Sequence, residues 1–521
     1  MRSLGPGGDG EDLNVASSLR IVMTRCWPIA SACVLGLLCA PTPCLASSWS
    51  PPRSLAALPH GFEAQSPKLA RDSAGDAVAV WEDVGSRSQR TIEASTRRQG
   101  GAWSAPVRLG YGMESGPEVV MDSRGHATVV WEQASRDPRR RGEPATLRVV
   151  VKARSYNVAR GWTPGVVLAA RHERLEELES EGGGTPWPQI AIHGEEVVVA
   201  FALLERGAKP FGGREDVLLF TGHAGRWSAP ILVDHTVGDR EMRLAVDSAG
   251  ERILAWSGAA LYRGWVETQI VTRNGRTTGP AQTVSARSGA ANELSLAVNT
   301  RGDAVLTWSQ ELADGDGRGP DEATTRPAGG RFDEKPVILV HKAYAALTAI
   351  SAGGAATVQF NRVRESGEEQ VGAGLEAATH TAMGGWDKPT LVLRNVGVLA
   401  LSSDPDGELL GLWEGGAPGP PFEGKPREIG VIDASIQPPQ STWQTPQTIS
   451  PPGTSEDAAA LGVAANGQAT AIWVLRPPPE HTEMIETADY QPEAPASAAR
   501  RARSRPSRIR SRPHSNSIAL S

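Results

Sequence analysis

PKLARDSAGDAVAVW, residues 67–81, states the rule by which the chain is built. Two short runs of Val, Ala and Leu flank Asp72-Ser73-Ala74-Gly75, and the second run ends on Trp81. In such a turn an Asp side chain caps its own backbone and Gly takes positive φ, so the segment predicts a β-hairpin. The pattern returns as PEVVMDSRGHATVVW (117–131), MRLAVDSAGERILAW (242–256) and LSLAVNTRGDAVLTW (294–308). Looser copies are LTAISAGGAATVQF (347–360), LALSSDPDGELLGLW (399–413) and ALGVAANGQATAIW (460–473). In all seven a glycine stands six residues before Trp or Phe; an eighth, PQIAIHGEEVVVAF (188–201), places Gly194 seven before Phe201. Asp72, Asp122 and Asp247 could be read as a ladder of metal ligands, but turn chemistry alone accounts for them.

A second element recurs between the hairpins: WSAPVRL (103–109), WTPGVVL (162–168), WSAPILV (227–233), FDEKPVIL (332–339), WDKPTLV (386–392) and WQTPQTI (443–449), with a copy near Gly279-Pro280 that has lost its aromatic. Proline in such a strand suits a sheet edge, where no ladder donor is missed. Alternating runs such as TIEAST (91–96) and LRVVVKA (147–153) supply a third strand. Four short strands per repeat of about 50 residues is the period of a propeller blade. The last hairpin is followed by MIETADY (484–490) and then by no edge strand, whereas WSPPRSL (49–55) carries the edge motif ahead of the first hairpin. The fold expected is therefore an all-β, eight-bladed β-propeller over 47–491, closed by its N-terminal strand. Seven blades, with 188–201 extruded, is the alternative. Six Trp on second strands and six on edge strands are expected between stacked blades. Full burial of each contributes about 4–6 kcal/mol as an upper bound.

The order apolar strand, Gly turn, strand ending in Trp, third strand and Trp-Ser-x-Pro resembles the Asp-box (BNR), sialidase-like propellers over most of 48–491. The family's Ser-x-Asp-x-Gly-x-Thr-Trp element is degenerate here: STRRQGGAW (95–103), TGHAGRW (221–227) and ATHTAMGGW (378–386) keep Gly and Trp and lose the Asp. The sialidase Arg-Ile-Pro motif, arginine triad and tyrosine–glutamate pair have no counterpart. The resemblance implies the fold and argues against that activity.

The 521 residues carry a net charge of −6. Seven arginines between Arg500 and Arg512 against Glu493 give the last thirty residues +6. Residues 1–46 cancel, so subtracting the tail from the whole leaves −12 on 47–491. An acidic body argues against a general nucleic-acid binder. The tail, 492–521, is read as a basic disordered segment that could contact a polyanion. All four cysteines, Cys26, Cys33, Cys39 and Cys44, lie in one N-terminal stretch. It reads as a signal peptide (23–46): Arg25, an apolar run from Ile29 to Cys39, and a cleavage site at Cys44-Leu45-Ala46. Residues 1–22, with Asp9, Glu11 and Asp12, fit no part of a signal, and Met23 is the start this reading favours. The mature chain would then be secreted or periplasmic, without cysteine, and without a membrane span.

Function is expected on the face opposite the Asp turns, where the longer connections gather. Glu82, Glu132 and Glu414 directly follow strand Trp residues; a carboxylate pair would suit glycoside hydrolysis, and solvated strand ends are the plainer reading. Tyr111, Trp187 and Trp265 lie outside the repeated positions and could stack on sugars or cover apolar edges. RHERLEELESEGGG (171–184) is read as an acidic, helix-prone excursion. Asp314, Asp316, Asp321 and Glu322 fail the EF-hand spacing, and no HExxH, GxSxG or phosphate loop occurs, so no metal, cofactor or catalytic residue is assigned. The reading is a secreted, monomeric, non-catalytic module binding a protein or glycan at its loop face. A diverged glycan-acting hydrolase or lyase is the alternative.

Overall fold

The computed structural model describes residues 48–492 apart from 86–88, 114, 137–145, 175–186, 205–213, 238–240, 261–262, 287–289, 312–317, 367–368, 382–383, 395, 405, 423–424, 465 and 477–481. The upstream segment, the signal peptide, the tail beyond Pro492 and the bulk of the 171–184 excursion lie outside them; Arg171–Arg174 continue a β-strand and not a helix.

Eight antiparallel sheets make up the described residues, seven with their strands in sequence order and one that also takes in the N-terminal strands. Blade 1 comprises Glu63–Arg71, Ala77–Gly85, Gln89–Arg97 and Val107–Tyr111. The innermost strands of the eight blades are Glu63–Arg71, Glu118–Met121, Gln189–His193, Glu241–Val246, Ala291–Val298, Ala343–Ile350, Gly397–Ser403 and Thr454–Val463. Each touches the next, and the eighth touches the first, which closes a ring. The chain is an eight-bladed β-propeller, and the irregular copy at 188–201 forms the first two strands of blade 3.

Closure is as expected from the displaced edge motif. Ser48–Trp49 and Arg53–Ala57 both pair with Met484–Gln491, with Trp49 opposite Tyr490. Across the same seam Arg97 Nη1 and Nη2 donate to Asp489 at 2.8 and 2.7 Å, Thr470 Oγ1 donates at 2.6 Å, and Arg71 Nη1 stands 3.5 Å away. Arg97 also lies over the Trp103 ring, 4.7 Å from its centroid.

The Asp turns behave as turn chemistry requires. Asp72 Oδ1 accepts from the amides of Gly75 and Asp76, and Asp122, Asp247 and Asn299 each accept from the amides two and four residues on. Gly302 is needed twice over: its φ is +94°, and a Cβ there would stand 2.7 Å from Asp247 Oδ2 in the neighbouring blade. Edge strands come in two pieces. Trp103 bridges to Arg97, Ser104 N donates to Thr96 O, and pairing resumes at Val107, so Pro106 falls in the gap where no donor is needed.

Trp81, Trp131, Trp256, Trp308, Trp413 and Trp473 are at most 1% exposed, as are Phe201 and Phe360. Of the edge-strand Trp, Trp49 is buried while Trp103, Trp162, Trp227, Trp386 and Trp443 are only half-buried. A second strand has sheet on both sides, whereas an edge strand faces water on one, so the burial expected of twelve is complete for seven.

Candidate functional site

Inner strands run toward the Asp turns and second strands away from them. Connections between second and third strands, and those between blades, therefore leave from the opposite, loop face. Its chemistry starts from the residue after each strand Trp. Side chains alternate across a strand; since Trp81 packs toward blade 8, against Ile472 and Val474, Glu82 points toward blade 2.

Glu82 and Glu132 are both wholly buried, which displaces the solvated strand-end reading. Glu82 Oε2 accepts from Arg90 Nη1 at 2.9 Å, and the same nitrogen donates to Gln65 Oε1 at 3.0 Å. Gly112 lies directly over the carboxylate: a Cβ there would stand 2.7 Å from Glu82 Oε1. Glu132 occupies the equivalent place in blade 2, facing blade 3. Glu414, in blade 7, is half-buried opposite Gly397. Tyr111 ends the edge strand of blade 1 with 49% of its surface exposed, and its carbonyl accepts from Trp131 Nε1 at 3.0 Å. Trp187 stands just before blade 3 and is 46% exposed. Trp265 is not on a loop: it pairs with Gly258 in blade 4, where a Cβ would meet its ring at 2.8 Å.

The structure thus brings Glu82, Tyr111 and Trp131 together at the junction of blades 1 and 2, with Glu132 on the far side of the same strand. Trp265 and Glu414 stand on other blades. Glu82 and Glu132 face different gaps, the first toward blade 2 and the second toward blade 3, and Glu414 lies on blade 7.

A second polar group lies at the closing seam, and reading the sequence missed it. Asp83 Oδ1 accepts from Trp81 Nε1 at 2.7 Å. Burial pushes its carboxyl up to about 6 against that hydrogen bond; the charges of Glu93 and Glu483 add to the rise, and Arg108 opposes it. Glu483 accepts from Ala64 N at 2.7 Å and is ion-paired with Arg476. The findable signal is an acid opposite six of the eight strand aromatics: Glu93, Glu267, Glu322, Glu376, Asp433 and Glu486. Burial raises the Glu322 and Glu486 carboxyls, while the facing indole lowers them.

Among the described residues no group of three or more His, Cys, Asp or Glu is placed to hold a metal, and no helix is long and apolar enough to cross a membrane. Asp321 and Glu322 belong to the third strand of blade 5; Asp314 and Asp316 lie outside the described residues.

The fold and this site define an eight-bladed propeller with one built face and one variable face. No family model and no curated protein matches the chain. Solved structures similar to it include the β-propeller domain of the Trilobed protease from Pyrococcus furiosus, at 7% identity over 75% of this chain and 98% of that one, TM-score 0.39. The polysaccharide lyase Uly1 matches at 7% over 71% and 88%, TM-score 0.39. An α-L-arabinanase from Penicillium chrysogenum matches at 10% over 84% and 98%, TM-score 0.35. Likenesses this distant carry no functional weight, and the ring rests on its own strand order and closure.

Proposed function

We propose that the chain is a secreted recognition module whose loop face binds a protein or glycan, without catalysis. The observation that carries this is a contrast at one place. Glu82 and Glu132, the carboxylates that follow the strand Trp residues of blades 1 and 2, have 0% exposure, while Tyr111 and Trp187 on the same face are about half exposed. A carboxylate sealed between blades meets neither water nor a glycosidic oxygen, whereas an exposed ring offers a stacking surface. The test is a binding screen of soluble glycans and extracellular proteins with wild type and Y111A/W187A. Loss of a ligand in the double variant, with an unchanged melting temperature, supports the reading. A ligand retained at full affinity overturns it.

Asp83 favours a second reading, a glycan-acting hydrolase or lyase. A carboxyl at about 6 beside Glu93 and Glu483 suits a general acid. Release of sugar ends from a polysaccharide panel, abolished in D83N, would establish it.

A further inference from the structure

We infer that the junction of blades 1 and 2 is a docking surface for a carboxylate-bearing polysaccharide, a polyuronate. This deepens the loop-face reading and rests on it.

The inference begins with which cations the fold has neutralised. Arg71, Arg90, Arg97, Arg108, Arg252 and Arg326 each hold a carboxylate at 2.7–3.5 Å. On blade 2 Arg124 pairs likewise with Glu195, while two other arginines of that blade do not. Arg136 ends its second strand at the loop face, and Arg148 lies near the start of its third; both are exposed, and among the described residues no carboxylate pairs with either. Lys152, four residues along the same strand, donates to the neutral Gln133 Oε1 at 2.8 Å. Burial holds the Lys152 ammonium below its ordinary value, and the charge of Arg148 lowers it further, so the two cations are near enough to repel. Like charges on one side of a strand repel, and an anionic ligand would relieve that repulsion.

Register places this pair beside an exposed aromatic. Arg148, Lys152 and Arg154 point to one side of the strand, and Lys152 stands opposite Trp131. Trp131 is the ring whose nitrogen bonds the Tyr111 carbonyl, so Tyr111 borders the same seam. Arg154 forms the seam's floor, donating to the carbonyls of Arg108 and Leu109 in blade 1 at 3.3 and 3.4 Å. Residues 148 to 154 span about 20 Å along the strand, long enough for an extended chain. Guanidinium matches planar carboxylate, an amide reads hydroxyls, and a tyrosine ring stacks on a sugar face. The net −12 of residues 47–491 opposes any polyanion, so attraction has to come from this local patch and weaken with salt.

The experiment compares full-length wild type, R148Q/K152Q and Y111A/W187A for binding to polygalacturonate, neutral galactan, heparin and DNA. The expected result is polygalacturonate binding that falls tenfold or more in R148Q/K152Q and weakens with added salt, with galactan bound poorly throughout. Heparin or DNA binding that survives R148Q/K152Q belongs to the arginine tail, which every variant keeps, and leaves polygalacturonate as the deciding ligand. Equal polygalacturonate affinity in wild type and R148Q/K152Q overturns the inference. So does heparin or DNA losing more than polygalacturonate in that variant. If R148Q/K152Q changes nothing but a ligand is lost in Y111A/W187A, the loop-face reading stands without this inference. If binding survives both double variants, the loop-face reading falls as well.

Discussion

Replacing Asp489 with Asn tests what holds the ring shut. Asp489 is the common acceptor for Arg97, through both terminal nitrogens, and for Thr470, and it is the nearest carboxylate to Arg71. The side chains of Arg97 and Arg71 are only 6% and 4% exposed, so neither can recover its hydration when the charge is removed. Stripping the counterion from buried guanidinium groups costs about 3–5 kcal/mol. Asn keeps the volume and one acceptor, which puts D489N near the lower end, about 3 kcal/mol. A folded domain commonly has about 5–15 kcal/mol in hand, so the loss should be plain in a guanidinium denaturation curve followed by Trp fluorescence.

The dependence on pH gives a second check. Burial pushes the Asp489 carboxyl up, but the hydrogen bonds from Arg97 and Thr470 and the charges of Arg97 and Arg71 outweigh it, leaving the pKa below the ordinary carboxylate value. A lowered folded pKa contributes stability that is present above the unfolded pKa, about 4, and is lost as pH falls through the folded value. The gap between wild type and D489N should therefore be full at pH 7 and shrink below pH 4. A gap under about 0.5 kcal/mol at pH 7 would refute the reasoning, as would one that persists undiminished into acid. Replacing both partners, as in R97M/D489L, should recover much of the loss, because a buried pair is expensive chiefly when half of it is removed.

Deleting 48–57 should lower the melting temperature and promote aggregation, since Met484–Gln491 becomes an open strand edge; light scattering and thermal melting equal to the full chain would refute it. D83N should be more stable than wild type by about 1–2 kcal/mol at pH 7.5 and equal to it below pH 4. A raised folded pKa contributes stability that is full below the unfolded value and lost as pH rises through about 6; the figure is reduced from the whole shift because the group is partly solvated. Deleting 492–521 should leave the melting temperature unchanged and remove most heparin retention at low salt. Equal retention on a salt gradient would place the polyanion contact on the ring.

The ring was legible because its determinants repeat. Asp or Asn three residues before Gly, Trp six after it and Pro three after an edge Trp can each be read without knowing what they touch. The structure adds reasons, such as the contact of Gly302 with Asp247 in the neighbouring blade, but changes no assignment. The candidate site was less legible. Glu82 looked like a solvated strand end because glutamate usually is one; only the path of Gly112 across it, set by the connection to blade 2, shows it sealed. Trp265 looked like a loop residue because it falls between repeat motifs, yet it is a strand residue filling the space over Gly258. Asp83 gives no signal in the sequence because what raises it is chiefly burial at the closing seam, which only the folded ring creates.

The residue just after the strand aromatic in the other blades bears on why Glu82 and Glu132 are there. Blades 3 and 8 place Ala202 and Val474 at that position, and both are buried. Blades 4 and 5 use Ser257 and Ser309, and blade 6 uses Asn361. The ring is thus stacked equally well on an apolar side chain, and a buried carboxylate is the more expensive choice even when Arg90 pairs with it. Stability of the stack does not account for Glu82. The polar versions share something else: Asn361 is within hydrogen-bond reach of Val396 and Val398, and the Glu82 carboxylate lies under Gly112. Both act on the chain entering the next blade. In blade 1 that chain is the stretch carrying Tyr111, whose carbonyl is tied at the same time to Trp131. The tyrosine thus leaves the surface with its carbonyl held by an indole and the next residue passing close over a buried carboxylate, an arrangement suited to fixing the ring's direction. Glu82 is then a positioning residue for the loop face and need not touch a ligand, and E82Q should weaken ligand binding through Tyr111 while Y111A removes any further effect of E82Q.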